Sequence, residues 1–76
     1  MEIKEFIENF ASQFEDTEVS MINAETEFRS LDEWSSILAL TIIAMIDDEY
    51  NVTLTADEMR KAATVNDLYN IVSSKL

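Results

Sequence analysis

Two adjacent serines precede a strongly apolar segment, in the stretch Trp34-Ser35-Ser36-Ile37-Leu38. A serine acts as a catalytic nucleophile when a neighbouring base takes its proton, and the commonest such base is histidine. The chain has no histidine and no cysteine. The sequence therefore offers these hydroxyls no obvious activating partner. Three roles stay open for them: a helix cap, an attachment point, or one of each.

The start of a helix gives the two hydroxyls different surroundings. A serine at the N-cap accepts a hydrogen bond from a backbone N–H two or three residues on, whereas the next residue projects into solvent. Ser35 fits the cap, and Ser36 fits the free hydroxyl. A phosphate ester on Ser36 would also be stabilised by the helix dipole. From the residues alone, capping by one or both serines is the preferred interpretation.

Three consecutive carboxylates, Asp47, Asp48 and Glu49, follow at the far end of the same segment. The C-terminal end of a helix disfavours a carboxylate by roughly a few tenths of a kcal/mol. Local stability therefore does not explain them. A basic partner would explain them, although a solvated charge cluster is the default interpretation. Nothing in the sequence distinguishes an acid from a base among them, so they do not indicate a catalytic pair.

Length and composition limit the chain to one small domain, residues 1–76, without disulfides. A metal site is not expected, because zinc lacks its usual imidazole and thiolate ligands and an EF-hand loop requires glycine, which is absent. The net charge is −11. This charge repels nucleic acid and anionic membranes and favours partners with Lys and Arg patches, although acidic surfaces also serve solubility.

Location is indicated by the N-terminus and by the longest apolar run. Residues 1–5 lack the basic start and apolar stretch of a secretory signal. The run from Ile37 to Ile46 is too short to span a bilayer. The absence of cysteine suits a reducing compartment. We expect a cytoplasmic, monomeric protein without membrane insertion.

The first half of the chain predicts one helix and one long loop. Glycine and proline are absent, which argues against a sheet with tight hairpins. A helix is predicted from about Glu2 to Glu15, with an apolar face formed by Ile3, Phe6, Ile7, Phe10 and Phe14. Residues 16–34 show no sustained period but are too apolar for a disordered linker. We expect this loop to wrap across the bundle with Phe28 and Leu31 buried.

The second helix is predicted from Ser35 or Ser36 to Tyr50. One broad side carries Leu38, Ala39, Ile42, Ile43, Ile46 and Tyr50, and the opposite side carries Ile37, Thr41, Ala44 and Asp48. An exposed Ile37 beside Leu40 suggests a docking surface. Isolated apolar residues are also common on protein surfaces, so this observation alone leaves both interpretations equal. Trp34 is expected to anchor the mouth of the helix.

Two further helices have recognisable starts. Thr55 and Glu58 form a predicted capping box, with Leu54 and Met59 as its hydrophobic staple. Thr64 begins the last helix, whose predicted apolar face consists of Val65, Leu68, Tyr69, Val72 and Leu76. The predicted fold is an all-α, small four-helix bundle with three longer helices, one short helix and a long first loop.

This order of elements resembles an acyl carrier protein over essentially the whole chain. Such proteins typically have Asp-Ser-Leu at the start of the second helix, then a run of acids followed by Phe. Ser35-Ser36-Ile37 and Asp47-Asp48-Glu49-Tyr50 occupy those places at the same spacing. Val52, Leu54 and Thr64-Val65-Asn66-Asp67-Leu68 resemble the family's following segment.

The resemblance implies that Ser36 is esterified with 4'-phosphopantetheine from coenzyme A, with Ser35 as the alternative hydroxyl. The thiol of this arm would carry acyl groups as thioesters for fatty-acid, polyketide or specialised biosynthesis, and a short acyl chain would fold back between the second and third helices. The chain itself would be non-catalytic. Its partners would be a phosphopantetheinyl transferase and acyl-loading and acyl-transferring enzymes with basic docking patches. They would bind a surface formed by Ile37, Leu40, Thr41, Ala44, Asp47 and Asp48.

The chain departs from the family pattern around the serine. Ser35 replaces the usual Asp, Ile37 replaces Leu, and Leu38 replaces an acidic residue. These differences suggest a specialised carrier. Two alternatives stay open: a peptidyl or aminoacyl carrier of the same fold, and an unmodified acidic adaptor that binds basic partner proteins.

Overall fold

A computed structural model describes residues 2–76 as a bundle of four α-helices. Helix α1 spans Ile3–Ala11, α2 spans Ser36–Tyr50, α3 spans Ala56–Lys61 and α4 spans Val65–Ser74. The long connection between α1 and α2 contains two short 3-10 turns, Val19–Met21 and Phe28–Ser30. No strand occurs within residues 2–76. The predicted all-α bundle with three longer helices, one short helix and a long first loop is confirmed.

The core is formed entirely by apolar side chains, since none of the described polar or charged residues is buried. All four helices and the long loop contribute to it, and α1 packs against both α2 and α4. Removal of this apolar surface from water is the main term that stabilises the bundle. The buried residues are Phe6, Phe10, Ala11, Phe14, Ile22, Phe28, Leu38, Ile42, Met45, Ile46, Val52, Leu54, Met59, Ala62, Val65, Leu68 and Val72.

Helix α1 is shorter than the sequence predicted, because it ends at Ala11 and not at Glu15. The hydroxyl of Ser12 and the side-chain amide of Gln13 both donate to the carbonyl of Asn9. The N–H of Phe14 bonds to the carbonyl of Ala11, three residues back, so the chain leaves the α-helix through a tighter turn. Phe14 is nevertheless buried, as its place on the apolar face predicted.

The long loop is fastened at both ends. The Glu33 carboxylate accepts hydrogen bonds from the backbone N–H groups of Glu15, Asp16 and Thr17 and from the Thr17 hydroxyl. The middle of the loop is joined to the start of α4, where the Asn66 N–H donates to the Ala24 carbonyl at 2.8 Å. The loop therefore wraps across the bundle as expected.

The aromatic residues of the loop connect it to the core. Phe28 is fully buried, as predicted, whereas Leu31 is only half-buried. The Trp34 ring lies 4.7 Å from the Phe28 ring and 6.3 Å from the Phe14 ring, measured between centroids. The expected role of Trp34 as an anchor at the mouth of α2 is confirmed.

Helix α2 begins and ends as the sequence predicted, from Ser36 to Tyr50. Leu38, Ile42 and Ile46 are buried on its inner side. Asn51 terminates it in the left-handed conformation with φ of 57°, and its N–H bonds to the Asp47 carbonyl. Asparagine tolerates this conformation better than most residues, which matters in a chain without glycine.

The two C-terminal helices have the predicted starts. Thr55 and Glu58 form the capping box of α3, and Thr64 caps α4 in a second box with Asp67. Leu54 and Met59 are both buried beside the first box, as the staple requires. The assignment of Leu76 to the apolar face of α4 was wrong. This residue follows the end of the helix and is 64% exposed. None of the described helices has the length and apolarity to cross a membrane.

Candidate functional site

The structure gives the two adjacent serines different surroundings. Ser35 is the N-cap of α2, and its side-chain oxygen accepts a hydrogen bond from the Leu38 N–H at 3.1 Å. Ser36 is the first residue of the helix and is exposed. Its hydroxyl makes no hydrogen bond with any other described residue. The Ser35 hydroxyl is therefore engaged in the fold, whereas the Ser36 hydroxyl is available for chemistry.

Two residues immediately before the serines hold them in place. The Glu33 carboxylate binds the backbone at residues 15–17, where its closest contact is 2.6 Å to the Glu15 N–H. These hydrogen bonds keep the pKa of Glu33 below its ordinary value, and the bond from the Glu15 N–H has the largest effect. The carboxylate therefore stays charged. Trp34, the residue after Glu33, packs on Phe28. The start of α2 is thus tied to the core and to the far end of the loop.

A cleft of about 300 Å³ begins at Ser36 and separates α2 from α3. Its α2 side is formed by Trp34, Ser36, Ala39, Leu40 and Ile43, and its other side by Arg29, Ala56, Met59 and Arg60. Positions 36, 40 and 43 share one face of a helix, since they are separated by about one and two turns. An apolar group attached at Ser36 can therefore lie along the cleft.

The exposed face of α2 contains every residue that the sequence assigned to partner docking. Ile37 is 76% exposed and Leu40 is 65% exposed. The remaining members, Thr41, Ala44, Asp47 and Asp48, are also exposed. Two large apolar side chains and two carboxylates thus form a surface that no described part of the chain covers.

The carboxylates at the end of α2 are too far from Ser36 to act on its hydroxyl. Asp47 lies eleven residues further along the helix, which corresponds to about 16 Å at 1.5 Å per residue. A general base must lie within hydrogen-bond reach of the proton that it takes. The geometry therefore gives these acids no role in activating the serine.

The comparison with family models decides what kind of protein this geometry belongs to. The model described as "Phosphopantetheine attachment site" matches residues 5–72, nearly the whole chain. The chain belongs to the phosphopantetheine attachment site family. Members of this family carry covalently attached 4'-phosphopantetheine and are used by partner enzymes. No curated protein and no solved structure matches this carrier protein.

The residues of the carrier protein fit such a group. Ser36 provides an exposed hydroxyl that no described residue binds, at the start of a helix where the dipole favours a phosphate. The adjacent cleft has predominantly apolar walls. The arm would supply a thiol able to hold a cargo as a thioester, and attachment at Ser36 would place the arm at the mouth of the cleft.

Ser35, Ser36 and the exposed residues of α2 lie where the sequence predicted, and the cleft lies between the second and third helices, where the resemblance implied that an acyl chain would fold back. Arg29, Ala56, Met59 and Arg60 were not identified as part of a site. The helical period places Ser36, Leu40 and Ile43 on one face of α2, so the sequence contained enough information to identify the α2 side of the cleft. Arg29 had no such signal, because its guanidinium reaches the Met59 carbonyl across thirty positions of the sequence.

Proposed function

We propose that this protein is an acyl carrier whose Ser36 is esterified with 4'-phosphopantetheine from coenzyme A by a separate transferase. The observation that supports Ser36 over Ser35 is the difference in hydrogen bonding. Ser35 caps α2, whereas the Ser36 hydroxyl is exposed and has no partner among the described residues. Modification of Ser36 leaves the cap intact, and modification of Ser35 would sacrifice it.

The cargo we propose is an acyl group and not an aminoacyl or peptidyl group. The apolar walls of the cleft suit the alkyl part of an acyl chain. Two arginines also line this cleft, and they would repel the free ammonium of an aminoacyl thioester. The pathway it serves, whether fatty-acid, polyketide or specialised biosynthesis, is set by its partner enzymes.

Partner enzymes are proposed to bind the exposed face of α2. Ile37 and Leu40 offer apolar contacts, and Asp47 and Asp48 offer charges that attract Lys and Arg. The net charge of −11 steers basic surfaces toward the carrier from a distance. The cytoplasmic location and the monomeric state expected from the sequence stay predictions.

Intact mass spectrometry after incubation with coenzyme A and several broad-specificity phosphopantetheinyl transferases tests the attachment. We expect wild type to gain one phosphopantetheine, Ser35→Ala to gain it as well, and Ser36→Ala to gain none. The reverse pattern between the two variants would assign the arm to Ser35. Absence of any adduct on folded wild type would overturn the carrier function and leave an acidic adaptor.

Thioester-bound cargo identifies the type of carrier. The protein is isolated from its native host and the thioester is cleaved with hydroxylamine, which releases the cargo as a hydroxamate. The hydroxamate of a carboxylic acid without an α-amino group is expected. Release of an amino-acid or peptide hydroxamate from the arm on Ser36 would show instead that the protein is an aminoacyl or peptidyl carrier.

A further inference from the structure

The long loop exposes two large apolar side chains to solvent. Apart from α2 and the last residue of the chain, the exposed large apolar side chains of residues 2–76 lie on the 3-10 turn Val19–Met21. Met21 is 64% exposed and Val19 is 54% exposed, whereas the next residue, Ile22, is buried. Methionine is flexible and polarizable, and it recurs on surfaces that bind partners. The turn therefore uses Ile22 for the core and leaves Met21 and Val19 available for contact.

Met21 lines an open groove of about 640 Å³ on the surface of the loop. The rest of the groove is formed by residues 16–18 and 30–33, which come from the two ends of the loop. Leu31, which is half-buried, is the other large apolar residue of this groove. The groove thus has apolar surface that the core does not cover and space for a side chain of another molecule.

The groove is also strongly acidic. None of the chain's five basic residues lines it, whereas four acidic residues do: Asp16, Glu18, Asp32 and Glu33. The Glu33 carboxylate is occupied by backbone N–H groups. The other three side chains form no hydrogen bond or ion pair with any described residue. Their charges favour a group with Lys or Arg and disfavour a second copy of this chain, whose net charge is −11.

The walls of the groove are fixed by hydrogen bonds within the protein. The Glu33 carboxylate joins the second wall to the backbone of residues 15–17. Between the walls, the Thr26 carbonyl accepts a hydrogen bond from the Val65 N–H at 3.1 Å. Association costs less free energy when the contacting segment is already ordered. The loop therefore presents the groove in a defined shape.

The groove lies close to the attachment serine along the chain. Asp32 precedes Ser36 by four residues, which span at most about 14 Å. A domain of only 100 residues already has a radius of gyration of about 13 Å, so an enzyme that acts at Ser36 can contact the groove at the same time. None of the residues assigned to docking on α2 lines this groove. The two surfaces are therefore separate.

We propose that the groove is a second docking site, which binds a protein segment with Lys or Arg on both sides of an apolar residue. The apolar residue packs on Met21 and Leu31, and the cations pair with Asp16 and Asp32. The segment belongs to an enzyme that acts at Ser36 or on its arm. This assignment to an enzyme rests on the proposed function, whereas binding of the segment does not.

Nuclear magnetic resonance titration of unmodified wild type tests the binding. The probe is a short capped peptide with two lysines on each side of a leucine, and the control peptide has serine in place of leucine. The Met21 methyl signal is expected to shift in a saturable manner with the leucine peptide and much less with the serine peptide. The methyl signals of Leu76, which is exposed outside the groove, should not move. Equal Met21 shifts with both peptides, or shifts confined to Ile37 and Leu40 on α2, would overturn the inference.

Charge variants separate local contacts from the overall acidity of the chain. Asp16→Asn combined with Asp32→Asn should weaken peptide binding, followed at the Met21 methyl signal, by about threefold to fivefold. Glu25→Gln combined with Glu27→Gln is the matched control, since it removes the same charge from exposed residues of the same loop that do not line the groove. It should weaken binding by less than about twofold. An equal loss in both double variants would attribute binding to net charge and contradict the proposed site.

Photo-cross-linking in the native host tests the assignment to an enzyme. A photo-reactive leucine analogue is placed at position 21 or, as the control, at position 76, and the captured peptides are sequenced by mass spectrometry. Position 21 is expected to capture a segment with Lys or Arg around an apolar residue, from an enzyme that uses coenzyme A or a thioester. Capture of acidic segments, of the same segments from position 76, or of none would overturn the inference. A basic segment from a protein without such a substrate would overturn its assignment to an enzyme. Absence of phosphopantetheine on Ser36 would overturn the proposed function and leave the peptide titration unaffected.

Discussion

The side-chain oxygen of Ser35 accepts a hydrogen bond from the backbone N–H of Leu38 at 3.1 Å. This bond satisfies one of the four N–H groups that the first turn of an α-helix leaves without an intrahelical partner. The next residue, Ser36, is exposed and takes no part in the cap. Stability and loading are therefore expected to depend on different serines.

Ser35→Ala is expected to lower the free energy of unfolding by about 1 kcal/mol, because it removes the cap of α2. Ser35→Gly should cost only a few tenths of a kcal/mol, since glycine exposes the N–H groups to water. Ser36→Ala should stay within about 0.5 kcal/mol of wild type. Urea denaturation followed by circular dichroism measures all three. An equal loss in the Ser35 and Ser36 alanine variants would show that both hydroxyls hold the helix.

Ser35→Asp is expected to raise the rate of loading while leaving stability unchanged. Aspartate caps a helix as well as serine does, and it restores the charge that acyl carrier proteins typically have before the modified serine. A rise in the transferase kcat/KM of roughly fivefold corresponds to about 1 kcal/mol, the strength of an exposed charge contact.

Ser35→Asn is the matched control for the added charge, because asparagine caps equally well but is neutral. Its loading rate should equal that of wild type. The gain in Ser35→Asp should also shrink at high ionic strength, where exposed charges are screened. The same gain in the Asp and Asn variants would attribute the effect to the shape of the side chain and not to its charge.

Glu33→Gln is expected to destabilise the protein near neutral pH. The pKa of Glu33 is lowered below its ordinary value of 4.5, mainly by the hydrogen bond from the Glu15 N–H. The N–H groups of residues 16 and 17 and the Thr17 hydroxyl lower it further. A lowered carboxylate pKa stabilises the folded state above the ordinary value, and this contribution is lost as the pH falls through the lowered one. The difference in free energy of unfolding between wild type and Glu33→Gln should therefore be largest at neutral pH and shrink below about pH 4.5.

Glu18→Gln controls for the loss of one negative charge from an acidic chain. Glu18 lies in the same loop, is exposed, and its side chain forms no cap hydrogen bond. Denaturation of both variants at several pH values gives the comparison. If the free energy of unfolding of Glu33→Gln differs from that of wild type by the same amount at every pH, the carboxylate charge does not hold the loop.

Much of the fold could be predicted because its signals are local. The start of α2 at Ser36 and the capping boxes of α3 and α4 depend on residues within one helical turn. The buried face of α2 follows from the helical period. The helical period wrongly placed Leu76 on the apolar face of α4, because the helix ends at Ser74.

The remaining features depend on contacts between distant parts of the chain. Ser12 and Gln13 draw on the Asn9 carbonyl and help to end α1, which the apolar period alone does not show. Glu33 fastens a loop segment sixteen to eighteen positions away, and Arg29 reaches Met59 over thirty. Neither partnership leaves a pattern in the sequence. The exposure of Ser36 and of the outer face of α2 was therefore predictable, whereas the arginines that line the cleft were not.

The proposed docking face of α2 gives the last prediction. Ile37→Ser combined with Leu40→Ser is expected to lower the kcat/KM of a partner acyltransferase about thirtyfold, because two exposed apolar anchors of an interface contribute about 1 kcal/mol each. Asp47→Asn combined with Asp48→Asn should lower it mainly at low ionic strength, since these charges act on the rate of encounter. Steady-state kinetics with carrier loaded beforehand measures both.

Leu76→Ser is the matched control, since Leu76 is 64% exposed and lies outside α2. It should leave partner kinetics unchanged. The stability of the Ile37 and Leu40 double variant should remain close to that of wild type, whereas Ile42→Ala, which empties a fully buried position of the same helix, should cost about 2–5 kcal/mol. If the double variant unfolds as easily as Ile42→Ala, the two exposed side chains support the fold and not a partner.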